Sequence, residues 1–284
     1  MNLAELTEFI KSLPGPRLVI LNTVQNAAVT ANELKDRKED IIHLSTALAP
    51  VHRRKIVDRI KSRLAQPGDS EWTLVATSCV EAGVDFSFRS AVRESCSVAS
   101  IIQTGGRTNR EAVWKVCEVW DVRLQDCLFN HHPAFEGSRM VLREMFEVGF
   151  LDGRTPAEAV TEAIRLEIMR RFRQETQELM RRERLLDFPG VEDLYEVIAG
   201  DTRTVVVVED LAQKLERRER VDSRELLLGS VQMWATKVDQ WAVLGFDGYP
   251  ELYKWTARYD SEFLGYMEGV MPLVLAGKGG GYFA

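Results

Sequence analysis

The chain has 284 residues and holds only four cysteines and four histidines. Cys79, Cys96, Cys117 and Cys127 form no C-x-x-C pair, and no histidine accompanies them at metal-ligand spacing. That argues against a zinc site or a disulfide scaffold, and the thiols read as small buried hydrophobes in a reducing compartment. No apolar run approaches ~20 residues, and the N-terminus lacks a basic stretch followed by an apolar core. The sequence therefore predicts a soluble, cytoplasmic protein. Excess positive charge is missing too: 37 Lys and Arg stand against 43 Asp and Glu, a formal net charge of -6. A general polyanion binder is excluded, and any nucleic-acid contact must come from a local patch. No G-x-x-x-x-G-K-S/T occurs. The tail G-K-G-G-G-Y-F-A, expected to be flexible, does not replace it, because neither a strand nor a Gly-Lys-Ser/Thr accompanies its glycines.

What is present is a globular composition, 45% hydrophobic and 28% charged, suited to one or two domains with real cores. Leu3, Leu6, Phe9 and Ile10 mark a helix over 3–12, stopped by Pro14-Gly15-Pro16. Leu18 to Leu21, Ile41 to Leu44 and Thr73 to Ala76 are short apolar runs, as expected of strands covered on both faces. Between them, Ala27 to Leu34 and the stretch from Pro50 to Leu64 read as helices, and Lys115 to Val122 alternates like a further strand. This rhythm predicts an α/β fold with a parallel sheet and flanking helices. In such sheets ligands lie beyond the carboxyl ends of the strands. There the sequence places Asn22 and Thr23, Ser45 and Thr46, and Thr77 and Ser78 through Asp85.

After about residue 128 the character changes. Asn130-His131-His132-Pro133 reads as a loop with exposed histidines. A long helix is predicted from Pro156 to Phe188, capped by Thr155 and ended by Pro189-Gly190. Its apolar stripe runs Val160, Ile164, Ile168, Phe172, Leu179, Leu186. Its arginines, from Arg165 to Arg184, are interleaved with glutamates, which favours a salt-bridged solvated face over a DNA-tracking rail. Beyond it come a β-rich run over 204–208, a charged helix over 211–220 and a strand-like stretch over 226–234. The expected division is 1–128, 129–188 and 189–284, the last a small α+β domain.

The chemistry concentrates between Thr73 and Arg110. Gln103, Arg107 and Arg110, four and seven residues apart, would share one face of a helix at ~100° per residue. An arginine pair can neutralise charge building on a transferred γ-phosphate. Gly105 and Gly106 in that helix would admit a close backbone or ligand. Thr77 and Ser78 can donate hydroxyl bonds to a phosphodiester, Gly83 allows a tight turn, and Asp85 can accept from a ribose hydroxyl or pair with an arginine.

The segments V-I-L-N-T-V-Q-N-A, H-L-S-T-A-L-A-P-V-H-R-R, L-V-A-T-S-C-V-E-A-G-V-D-F and S-I-I-Q-T-G-G-R-T-N-R-E resemble the second RecA-like lobe of superfamily 2 helicases. In their order, with Arg93 on a short strand between the last two, they look most like the CRISPR-associated helicase-nuclease of type I systems. The resemblance covers residues 1 to about 125 and is looser beyond, where "YDSEFLGY" fits that effector's C-terminal region. It implies finger roles for Arg107 and Arg110, with Gln103 ahead of them. It implies nucleotide contacts at Gly83, Asp85 and Gly106, and a strand-phosphate path at Asn22, Thr23, Ser45, Thr46, Thr77 and Ser78. Thr104 stands where many relatives have arginine, and Gly105 where alanine is usual.

That effector carries a phosphate loop, a D-E-x-H/D box and a His-Asp nuclease motif upstream. None occurs here. The expectation is a C-terminal fragment or one half of a split enzyme, with negligible ATPase activity and no nuclease activity alone. ATP and Mg²⁺ are the implied cofactors, the Mg²⁺ ligands lying outside this chain. The implied partners are a first RecA-like lobe, a His-Asp nuclease domain, single-stranded DNA and a crRNA-guided surveillance complex. Alternatives are a fragment of another superfamily 2 translocase, from restriction or repair, and a non-catalytic module docking on such a complex.

Overall fold

The structure is a computed structural model. It describes every residue except 82, 172, 195–201, 239 and 279–284, and only the backbone of 170, 171, 173–176, 193, 277 and 278. Phe172 of the expected stripe, the side chains of Arg170, Arg171 and Arg173, and most of the glycine-rich tail lie outside the described residues. The chain gathers into two units: Met1–Glu94, Gln103–His132 and Thr202–Ala284 form one, Ser95–Ile102 and Pro133–Asp201 the other.

In the first unit, α1 (Leu3–Ser12) starts at a reciprocal cap: Asn2 Oδ1 accepts the Glu5 N–H at 2.8 Å, and the Glu5 carboxylate accepts the Asn2 N–H at 3.0 Å. Then follow β1 (Arg17–Ile20), α2 (Val24–Asp36), β2 (Ile41–Leu44), α3 (Pro50–Leu64), β3 (Thr73–Ala76), β4 (Ser90–Glu94), α4 (Val98–Gly105), whose residues 98–102 belong to the other unit, and β5 (Glu118–Val122). All five strands are parallel, in the order β2-β3-β1-β4-β5. The expected α/β sheet with flanking helices is what forms. The helix expected at Ala27 begins three residues earlier, at Val24, because Thr23 Oγ1 takes the Asn26 N–H at 3.0 Å.

Side chains alternate across the sheet with period two. Leu18 and Ile20 of β1 join Ile42, Leu44, Ile56, Ile60 and Trp72 on the α3 face. Val19 and Leu21 join Leu6, Ile10 and the alanines of α2 on the opposite face. With both faces covered, the central strands β1 and β3 are apolar over most of their length, and each fully buried aliphatic side chain contributes about 1.5–3 kcal/mol.

The C-terminal part of this unit contains β6 (Thr202–Val206), α9 (Glu209–Glu216), α10 (Ser223–Leu228), β7 (Ser230–Trp234), α11 (Ala235–Val238), β8 (Val243–Phe246), β9 (Tyr249–Trp255) and α12 (Met267–Leu273). Its mixed sheet runs β7-β6-β9-β8. Leu226 to Leu228, expected in a strand, are helical: Asp222 Oδ1 accepts the N–H groups of Arg224 and Glu225 at 2.7 and 2.9 Å and starts α10. Val231, Met233, Trp255, Leu264 and Met267 lie in the same core as Val19 and Ala28, so the two sheets share one hydrophobic interior.

A second tie is polar. The Tyr259 hydroxyl accepts the Ala49 N–H at 2.9 Å and meets His52 Nδ1 at 2.8 Å. The Tyr266 N–H donates to Ala47 O at 3.1 Å, and His43 Nδ1 lies 2.6 Å from Phe263 O. Gly265, at φ +61°, lies so close to the Ala47 backbone that a Cβ would collide with it. Burial pushes the His43 imidazole down to about 4.

The second unit is helical: α5 (Glu136–Glu147), α6 (Pro156–Arg171), α7 (Arg173–Arg184) and α8 (Phe188–Leu194). Val98, Val141, Leu142, Met145, Ala159 and Ala163 form its core. Thr155 caps α6 as expected, its Oγ1 accepting the Glu158 N–H at 3.3 Å while Glu158 accepts the Thr155 N–H at 2.9 Å. The helix expected to reach Phe188 stops at Arg184, with Leu186 left-handed at φ +56°. Pro189-Gly190 begins a helix instead of ending one: Asp187 Oδ1 accepts the Gly190 N–H at 3.1 Å, and a proline is tolerated in a first turn. Among the described residues no helix is long and apolar enough to cross a membrane.

Candidate functional site

The arginines arrive by a different route from the one their spacing suggests. α4 ends at Gly105, so Gln103, Arg107 and Arg110 do not share a helical face. Two consecutive glycines, each costing roughly 1 kcal/mol in a helix interior, weaken its continuation. The Arg107 N–H closes a tighter turn on Thr104 O at 2.9 Å, and Asn109 sits left-handed at φ +52°. The chain then pairs with the segment before β4: the Phe88 N–H donates to Arg107 O at 2.9 Å and the Asn109 N–H to Phe88 O at 2.8 Å. Gln103 is exposed in the last turn of α4, and Gly106 is exposed in the turn beyond it.

Both guanidinium groups nevertheless end on the loop that leaves β3. Arg107 Nη2 donates to Glu81 O at 2.6 Å. Arg110 Nη1 lies 3.0 Å from Asp85 Oδ1, with side chains 48% and 86% exposed. Exposed pairs of this kind are worth roughly 0–1 kcal/mol, so Arg110 can exchange Asp85 for a stronger anion at little cost. Gly83 holds the loop between them at φ +76°, a conformation only glycine adopts freely.

The residues after β1, β2 and β3 also align. Ile20 is level with Ala76 and Arg93, and Leu44 with Ala76, so the three carboxyl ends form one rim. Asn22 and Thr23 are half-buried there, Thr23 serving as the α2 cap. Ser45 is buried, its Oγ accepting the Ala47 N–H at 3.2 Å, while Thr46 is exposed. Thr77 is buried beside β2, its N–H donating to Leu44 O at 3.2 Å, while Ser78 is exposed. Thr46 and Ser78 thus face outward, and Ser45 and Thr77 shape the turns that present them.

Beneath the rim lies a polar network that spacing did not single out. Arg93, 2% exposed, meets Glu81 Oε1 through Nε at 3.0 Å and donates from Nη1 to Asn22 Oδ1 at 2.6 Å. Glu94 accepts the Asn22 N–H at 2.8 Å and Asn26 Nδ2 at 3.0 Å, and Asn26 in turn accepts the Asn130 N–H at 2.8 Å. Burial raises the carboxyl groups of Glu81 and Glu94 above their ordinary range, and Arg93 opposes both shifts. Arg93 therefore links the end of β1 to the loop that holds the two finger candidates. The signal was in the sequence: an Arg-Glu pair closing an otherwise buried strand.

Among the described residues no cluster of three or more His, Cys, Asp or Glu could hold a metal ion.

Residues 15–113 match the family model "CRISPR-associated nuclease/helicase Cas3, C-terminal". A segment of 71 residues is 35% identical to the CRISPR-associated nuclease/helicase Cas3 of Haloferax volcanii, 25% of this chain and 7% of that protein. The fold matches the crystal structure of T. fusca Cas3-ADP with a TM-score of 0.61 at 14% identity, covering 90% of this chain and 37% of that one. A chain in a CRISPR RNA-guided surveillance complex, pre-nicking, gives 0.58 at 14% identity, with 90% and 38% covered. The chain thus spans well under half the length of these relatives, and at these identities the structural likeness speaks for fold alone. Over residues 15–113 the chain is thus similar in sequence to the C-terminal part of the CRISPR-associated nuclease/helicase Cas3, and over most of its length it shares the fold of solved Cas3 chains.

Proposed function

We propose that this chain is the second motor lobe of an ATP-dependent helicase-nuclease of type I CRISPR interference, which pulls single-stranded DNA in 3′ to 5′ steps. The convergence of Arg107 and Arg110 on the loop 81–85 carries the reading. A fixed guanidinium pair at a sheet rim, one member half-exposed, suits the charge that builds on a γ-phosphate. ATP would meet the chain at these arginines, with Gln103, Gly83, Asp85 and Gly106 beside them, and would supply the bond whose cleavage drives stepping. The opposite wall, including the Mg²⁺ ligands, belongs to a first RecA-like lobe. Asn22, Thr23, Thr46 and Ser78 would hold the strand backbone, with Ser45 and Thr77 shaping the turns. A nuclease domain and a crRNA-guided surveillance complex complete the proposed assembly, the latter suggested by the chain of like fold found in such a complex.

The test is Arg107→Ala in the chain assayed with a first RecA-like lobe, in one polypeptide or as an added partner. ATP hydrolysis should fall at least about 10³-fold with nucleotide affinity nearly unchanged. Unaltered turnover removes Arg107 from the reaction and the reading with it.

A further inference from the structure

Next to the outward hydroxyl of Thr46 the first unit carries an open cavity of ≈ 230 Å³. Asn22, Thr23 and Thr46 form one wall, and Gln232, Trp234 and Lys237 of β7 and α11 form the other. The floor is aromatic: Trp241 and Tyr266 have ring centroids 5.7 Å apart, and Trp255 packs 5.7 Å from Tyr266. Gln232 and Trp234, two residues apart, share the outward face of the edge strand β7, whereas Val231 and Met233 turn inward to the core. Trp234 is left 40% exposed.

Two further observations restrict the occupant. Among the described residues no Asp or Glu lines the cavity, although the chain carries 43 of them. The lysine in its wall, Lys237, is 7% exposed, and its ammonium lies 6.0 Å from the Trp241 ring. A site meant for phosphate alone would present exposed, forked donors. This one presents a flat indole with a polar rim that tolerates negative charge nearby.

We infer that the cavity is a station for one nucleobase of a single strand, stacked on Trp234 while the adjoining backbone follows Asn22, Thr23 and Thr46. The inference rests on the second-lobe reading and adds to it the C-terminal sheet as a contributor of base contacts. Every base has a π-face, so the station is tolerant of sequence. Gln232 Nε2 donates to Thr204 Oγ1 at 3.1 Å, which orients the amide on the cavity rim.

The test compares the affinity of the chain for a fluorescent oligothymidylate and for an abasic oligonucleotide of equal length, which keeps the phosphates. Trp234→Ala should weaken oligothymidylate binding about 5- to 150-fold and leave the abasic strand unchanged. Trp234→Phe should retain most of the affinity, which separates stacking from a lost fold. Equal affinity of wild type and Trp234→Ala for oligothymidylate, or an equal loss for both strands, overturns the station. If that happens while Arg107→Ala still abolishes ATP turnover, the motor reading stands and only the station falls. Failure of the wild-type chain to bind either strand removes both the station and the strand path.

Discussion

Arg93 and Arg181 each lie against a glutamate, at 3.0 and 2.7 Å. Around Arg93 the two side chains are 3% and 11% exposed; around Arg181 they are 60% and 37% exposed. The first pair sits under the strand rim and organises three segments of chain. The second lies along α7, where Arg182 shares the same Glu178, and on α6 Arg165 repeats the arrangement with Glu162. These three arginines of the helical unit are thus occupied by glutamates one turn away, as a solvated face requires. Similar distances conceal unequal consequences, because water screens one pair and not the other.

The largest expected effect is at the buried pair. Arg93→Ala leaves the buried Glu81 carboxylate without its cation, removes one bond to Asn22 Oδ1, and should cost about 3–5 kcal/mol in denaturant unfolding of the chain. A loss near zero would erase the contrast between the two units.

Next comes acid. His43 is neutral in the fold, its imidazole held down to about 4 by burial, against an ordinary 6.5. The unfolded chain binds the extra proton first, so this residue's contribution is complete above pH 6.5 and is lost as pH falls toward 4. The loss is about 3 kcal/mol over that window. Glu81 and Glu94 act oppositely, since their raised carboxyl groups favour the fold as they take up protons. The pH profile of His43→Leu subtracted from wild type isolates the histidine, and an unchanged profile would contradict its burial.

Tyr259→Phe should cost about 1–2 kcal/mol by removing the hydroxyl that meets Ala49 and His52. The smallest effect belongs to the exposed helix: Glu178→Ala should leave the thermal midpoint unmoved, although two arginines hold its carboxyl down to about 2. A clear destabilisation there would show that the helical face carries structure after all.

The first three strands were legible because each is a short apolar run bounded by helical periodicity, the fifth because it alternates, and Thr155 and Pro50 announce helix starts in local chemistry; the strand over Ser90–Glu94, closed by Arg93 and Glu94, was expected only from the resemblance, and the cap at Thr23 was missed. The turn after Gly105 was not legible, because pairing with Phe88 settles where α4 ends. Gln103, Arg107 and Arg110 were recognisable as residue types, while the convergence of the two arginines on 81–85 depends on that pairing. The start of α10 was readable in Asp222 with Glu225 three residues on, a cap signature overshadowed by the apolar run Leu226 to Leu228. The bond from Ala49 to Tyr259 spans 210 positions, and no local pattern encodes it.

That last bond makes the clasp formed by residues 43–52 and 259–266 a unit of inheritance. Grafting either half from a distant relative without the other would set a foreign tyrosine against a foreign histidine, or a side chain against the carbonyl that Gly265 spares. Chimeras should tolerate exchange of both halves together and reject exchange of one.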